Sequence, residues 1–272
     1  MNHPMRDPLD EIRAIAGLGF DFVDLTLEPA LARADRVDPG AIRGALADTG
    51  LGVIGHTAWY LPIASPFNSL RRAAWDEFAR CLDVFAAVGV RLVNLHPDLR
   101  APLHDEEWLI AANVEAVGAL AAMARDLDLR LMLENLPGPF NRVDVLRRLL
   151  DAIPDLGLHL DVGHANLRTP RILTAELLAA FHTRLAHVHF SDNRGGDDDL
   201  HLPLGAGRID WPETIRLLIG HGYAGTITLE VFSPDSDYLA LSREKVLRLW
   251  TQAATAAMPH RTLSGQPAPP RE

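Results

Sequence analysis

The chain has 272 residues, 48% hydrophobic and 23% charged, with 20 Gly and 19 Pro. That balance describes an ordinary globular protein and excludes disorder for the bulk of it. A single cysteine, Cys81, excludes an intramolecular disulfide and a cysteine-rich zinc module. The net charge of −10, with Lys245 as the only lysine, argues against a broad electrostatic footprint for nucleic acid.

In chain order, Asp7 opens a first helix with Pro8 in its first turn. Short apolar β-type runs then alternate with longer runs whose apolar residues recur at three- and four-residue spacing. Strands are expected at Phe22–Leu27, Gly52–Thr57, Arg91–Leu95, Arg130–Glu134, Leu158–Asp161, Ala186–Phe190 and Thr226–Val231. Helices are expected at Ser69–Val88, Glu106–Asp126, Val143–Ala152 and Trp211–Gly220. Alternation of this kind implies parallel strands joined by right-handed crossovers. The expected fold is an α/β TIM barrel in one domain over residues 1–258, with a Gly/Pro-rich, disordered tail over 259–272. Eight strands close such a barrel and seven are visible, so the first is shortened or missing; an open seven-stranded sheet is the alternative. The polar, proline-containing start does not read as a signal peptide, and no apolar run approaches the roughly 20 residues that span a bilayer. A cytoplasmic enzyme without a membrane partner is the expectation.

Six of the seven strands end on a metal-competent side chain. They are His56, His96, Glu134, Asp161, His189 and Glu230. In a parallel barrel these ends converge on one face. Histidines and carboxylates crowded there repel or desolvate one another unless a cation binds them. Imidazole and carboxylate together suit divalent zinc or manganese. His164 stands three residues past Asp161, and Asp199 and His201 follow a Gly/Asp-rich loop before Gly205 and Gly207. His159 and His187 sit two residues before Asp161 and His189 on the same inward face, as barrel-layer fillers or partners behind the ligands. Asp24 and Glu28 also face inward, with Glu28 directed to substrate or to an arginine. Trp59 and Tyr60 are pocket walls or packed aromatics. Cys81 is expected in a helix core.

These residues together resemble the xylose-isomerase-like barrel superfamily, which includes endonuclease IV and sugar phosphate isomerases and epimerases. The matching segments are His56 to Tyr60, Asn94-Leu-His-Pro97, Leu133-Glu-Asn135, Asp161-Val-Gly-His164, His189-Phe-Ser-Asp192, Asp199-Leu-His201 through Gly207, and Leu229-Glu230. The resemblance implies a metal held by His56, His96 and Glu134, and a second by Glu134, Asp161, His189 and Glu230, with Glu134 bridging. It implies a third held by His164, Asp199 and His201, so between one and three ions per chain. The loops that touch DNA in endonuclease IV differ here: Asp98 follows His96-Pro97, Val162 and Gly163 follow Asp161, and Asn193-Arg194 follow Asp192. The first expectation is therefore an isomerase or epimerase of a small sugar or sugar phosphate. In it, Glu134 and Glu230 shuttle a proton, Trp59 walls the pocket, and Arg194 or Arg208 holds a phosphate or hydroxyl. The alternative is an abasic-site endonuclease using all nine ligands. The sequence does not give the oligomeric state.

Overall fold

The computed structural model describes residues 1–257, and the tail expectation for 259–272 lies outside them. Seven strands alternate with helices: β1 (Phe22–Leu27), β2 (Gly52–Thr57), β3 (Leu92–Leu95), β4 (Arg130–Glu134), β5 (Gly157–Asp161), β6 (Leu185–Phe190) and β7 (Thr226–Leu229). The helices are α1 (Pro8–Gly17), α2 (Pro39–Thr49), α3 (Asn68–Val88), α4 (Glu106–Asp126), α5 (Val143–Ala152), α6 (Thr174–Phe181), α7 (Trp211–Gly220) and α8 (Asp237–Ala257). Their starts follow from capping chemistry. Asp7, Asp38, Asp105 and Asp210 each accept a backbone N–H from the first turn of α1, α2, α4 and α7.

Every strand pairs in parallel with the next, in the order β1 to β7, and the sheet curls into a nearly closed barrel. The period of two along each strand sorts the side chains. Val23, Leu25, Val93, Leu95, Leu131, Leu133, Leu158, Leu160, Val188 and Phe190 face outward and pack with the helices in one core. Such burial contributes about 1.5–3 kcal/mol per large aliphatic side chain. The alternate residues face the barrel axis, and most are polar: Asp24, Thr26, His56, Asn94, Glu134, His159, Asp161, His187, His189 and Thr228 are all buried.

No ladder joins β7 to β1 among the described residues. The segment before α1 enters at that edge. The Asn2 side chain accepts from Thr26 N (2.7 Å) and donates to Thr26 O (3.1 Å), while Asn2 N donates to Asp24 O. One asparagine thus satisfies β1 backbone groups that a full strand would otherwise pair. The expectation of a shortened first strand therefore takes this physical form.

Helix α4 corrects one sequence reading. It has 21 residues, and an 18-residue stretch within it is apolar enough, by length and composition, to cross a membrane, which the sequence reading does not expect of any run. Here it buries Ile110, Ala116, Val117, Leu120 and Ala124 against β4 and the flanking helices. Its first turn carries Glu106 and Glu107, paired with Arg142 and Arg148.

Candidate metal centre

The C-terminal strand ends form a buried rim. Glu134, the last residue of β4, is its hub. Its Oε2 accepts from Asn94 Nδ2 and lies 2.9 Å from His96 Nε2 and 3.2 Å from His159 Nδ1. Its Oε1 lies 3.2 Å from His164 Nδ1. His56 reaches the same carboxylate from β2, with Nε2 at 4.0 Å from Oε2 and Nδ1 at 3.3 Å from the Thr26 hydroxyl. Across the barrel, His189 Nδ1 lies 3.2 Å from Glu230 Oε2 and 3.8 Å from Asp161 Oδ2. Donor atoms of His56, His96 and Glu134 all lie within 4.8 Å of one another, as do those of Glu134, Asp161, His189 and Glu230. Glu134 belongs to both groups.

The chemistry of these donors fits a divalent cation. His56 Nε2 and Asp161 Oδ2 are buried without a hydrogen-bond partner among the described residues, and both belong to these groups. Burial, aided by Glu134 and Glu230, pushes the Asp161 carboxyl up to about 7, although His164 pulls it down. A cation would relieve that crowding of carboxylates. Burial pushes His56 down to about 4, which keeps its imidazole neutral and ready to donate a lone pair. Burial opposes the charges on Glu134 and Glu230 too. The histidines override it, holding Glu134 well below the usual range and Glu230 near about 2. Both are carboxylates at neutral pH.

The loop candidates converge as well. His164 Nε2 and His201 Nε2 lie 3.0 and 3.1 Å from the same Asp199 oxygen. His164 is placed by a tight turn in which its N–H donates to Asp161 Oδ1 (2.7 Å). A Cβ on Gly163 within that turn would strike the Ser191 hydroxyl. His201 stacks on Phe232, ring centroids 4.2 Å apart, and bonds the Glu230 carbonyl through Nδ1 (3.1 Å). Asp192 ties this loop down by accepting from Gly205 N (2.7 Å), Ile209 N (3.2 Å) and Trp211 Nε1 (3.0 Å). A Cβ on Gly207 would collide with Asp192 and the Asn193 carbonyl.

The layer beneath the rim holds the two histidines expected there. His159 shares the Glu134 carboxylate with Asn94, and His187 sits between the Thr226 and Thr228 hydroxyls (2.8 and 3.0 Å). Asp24 is a functional candidate whose role the sequence did not disclose: its Oδ2 accepts from His189 Nε2 (2.8 Å). Strand polarity marks Asp24 as inward, but nothing local points to a partner 165 residues away. Among the described residues Glu28 pairs with no arginine; the Tyr60 hydroxyl donates to it (3.1 Å). Trp59 is 59% exposed rather than packed, with the Arg100 guanidinium 5.6 Å from its ring centre. Arg194 and Arg208 are exposed on the loop after β6, and neither forms an ion pair or side-chain hydrogen bond among the described residues. Cys81 is buried in α3, as expected.

Fold and rim together define a parallel β/α barrel with a histidine–carboxylate cluster at the carboxyl ends of its strands. Residues 12–252 match the xylose isomerase-like TIM barrel family, and the chain belongs to it. An uncharacterised protein of Methanocaldococcus jannaschii is 28% identical over 210 residues, covering 68% of this chain and 71% of that protein. A ketose 3-epimerase of Arthrobacter globiformis is 25% identical over 243 residues, covering 85% of this chain and 79% of that enzyme. Among solved structures, a D-tagatose 3-epimerase-like protein superposes with a TM-score of 0.77 at 20% identity, covering 93% of this chain and 98% of that one.

Proposed function

We propose that the chain is a divalent-metal-dependent isomerase or epimerase of a small sugar or sugar phosphate, with ketose 3-epimerisation as the reaction class. The observation that carries this reading is the buried Glu134/Asp161/His189/Glu230 group, whose two glutamates reach it from β4 and from just past β7, with β5 and β6 between them. The similarity to a ketose 3-epimerase supports it. Those four residues would hold the ion, with His56 and His96 forming an adjoining set on Glu134. Zinc or manganese suits such donors. When bound, the ion supplies Lewis-acid polarisation of a carbonyl and its neighbouring hydroxyl.

The protein groups supply the rest. Epimerisation needs a base on one face of a carbon next to a carbonyl and an acid on the other. Glu134 on β4 and Glu230 past β7 offer a carboxyl to each face. One takes the proton and the other returns one, the roles exchanging with the direction of reaction. Both are buried and held as carboxylates by the histidines around them, so each is free to accept a proton. Trp59 and Phe232, exposed in the loops after β2 and β7, offer apolar faces to a sugar ring. Arg194 and Arg208 lie in the loop that carries Asp199 and His201, a position suited to a phosphate on the substrate.

The test is solvent isotope exchange. Manganese-loaded protein is incubated in deuterium oxide with D-fructose, D-tagatose, D-psicose and L-ribulose, and products are read by NMR. A C3 epimer carrying one deuterium at the inverted carbon is expected. Neither epimer nor deuterium with any ketose or ketose phosphate would refute the reading. The convergence of His164, Asp199 and His201 favours one alternative, a three-metal phosphodiester hydrolase. Nicking of abasic duplex DNA by the zinc-loaded protein would establish it instead.

A further inference from the structure

Asp24 lies mid-strand in β1 and is completely buried. An isolated carboxylate there costs several kcal/mol unless it is paired. Its partners come from across the unpaired edge of the barrel. Oδ2 accepts from His189 Nε2 on β6 (2.8 Å) and from the Thr228 hydroxyl on β7 (3.1 Å). His187 Nε2, 3.8 Å away, is bonded to that same hydroxyl at 3.0 Å. These contacts span the place where β7 and β1 have no ladder.

The His189 contact does more than close the barrel. A neutral imidazole carries one N–H, and a carboxylate facing one ring nitrogen fixes the proton there. With Nε2–H held by Asp24, the nitrogen left to a cation is Nδ1. That nitrogen faces Glu230 Oε2 at 3.2 Å and Asp161 Oδ2 at 3.8 Å, inside the proposed ligand group. The ring is also fixed in rotation, because its two nitrogens are held from opposite sides. An asparagine of the same shape would close the seam without burying a charge. The charge faces both His187 and His189, and of the two only His189 belongs to the proposed ligand group.

We propose that Asp24 is a positioning residue: it holds His189 across the β7–β1 seam in the tautomer that presents Nδ1 to the metal. This rests on the metal centre of the proposed function. His159, whose Nε2 has no partner, and His187 fill the remaining layer around that contact.

Two measurements test it. The first is nitrogen-15 NMR of the imidazoles in zinc-loaded wild-type protein. His189 is expected with its proton on Nε2 and zinc on Nδ1; the reverse assignment would overturn the proposal without any variant being made. The second is zinc affinity, by chelator competition, of wild type, Asp24→Asn and Thr228→Val, each checked for folding by circular dichroism and for the melting temperature of its metal-free form. Removing such a partner weakens metal binding by about 10–100-fold. Asp24→Asn is expected to show that loss. Thr228→Val, which removes only the seam hydroxyl, is expected to show a much smaller one. Equal losses in the two variants, or an Asp24→Asn affinity within about threefold of wild type, would overturn the role of Asp24. Wild-type protein that takes up no zinc would defeat the proposed function as well; wild type that binds zinc no better than Asp24→Asn would defeat this inference alone.

Discussion

Replacing Glu134 with Gln removes one negative charge from two ligand groups at once. His96, His159, His164 and Asn94 all converge on this carboxylate, and it is the only residue common to the His56/His96 group and the Asp161/His189/Glu230 group. Two effects oppose each other in the metal-free chain. The histidines lose a counter-charge, which destabilises. Asp161 loses a like charge that helps to push its carboxyl up to about 7, which stabilises. Their partial cancellation leaves the metal-free variant folded. The metal-bound state has no such compensation. A cation at 100 times its dissociation constant stabilises the wild type by about 2.7 kcal/mol, or about 5–10 °C in melting temperature for a domain of this size. Glu134→Gln is expected to lose that shift, because the amide offers neither charge nor a second oxygen. The assay is thermal unfolding of chelator-treated protein with and without added manganese, beside elemental analysis of the same samples. Epimerase activity is expected to fall with the metal. A variant that keeps both the metal stoichiometry and the thermal shift would refute the bridging role of Glu134.

Asn2→Ala is expected to lower stability by about 1–3 kcal/mol, because it exposes the Thr26 N–H and carbonyl at the barrel seam. An unchanged denaturation midpoint would remove Asn2 from that role. Gly163→Ala forces a methyl group against Ser191 beside Asp161, so a loss of about 1–3 kcal/mol and weaker metal uptake are expected together. Unimpaired uptake at wild-type stability would show that the turn tolerates the methyl group. Burial pushes the Cys81 thiol up to about 12, against about 8.5 for a free cysteine. Native protein at pH 8 is therefore expected to resist iodoacetamide and to react in urea. Because the unfolded thiol ionises first, this group contributes stability below pH 8.5 that is lost as pH rises toward 12. Rapid labelling of the native protein would contradict the buried thiol.

The sequence disclosed the strand ends well, for a physical reason. A parallel β/α unit places its functional side chain at the last inward position of a short apolar run, so both the strand and the residue can be read locally. His56, His96, Glu134, Asp161, His189 and Glu230 all stand at such positions, and the structure brings them into two groups that share Glu134. His159 and His187 followed from the same period of two. Contacts made across the barrel left no local trace. The Asp24–His189 pair crosses the β7–β1 seam, the Asn94–Glu134 pair joins neighbouring strands 40 residues apart in the chain, and the Glu28 partner is a tyrosine from the neighbouring loop. Only loop position points to Arg194 and Arg208, and among the described residues no ion pair or side-chain hydrogen bond draws either into the rim. Helix α4 is longer and more apolar than the expectation of no membrane-length run allowed, and its buried residues pack against β4 and the flanking helices.

Metal content per chain, measured by elemental analysis of protein purified without added metal or chelator, tests the central claim most directly. Close to one divalent ion per wild-type chain, absent from Glu134→Gln, is the predicted result for an isomerase or epimerase centred on Glu134, Asp161, His189 and Glu230. Three zinc ions per chain would contradict it in favour of phosphoester hydrolysis, and a wild-type chain with no divalent ion would contradict the metal centre itself.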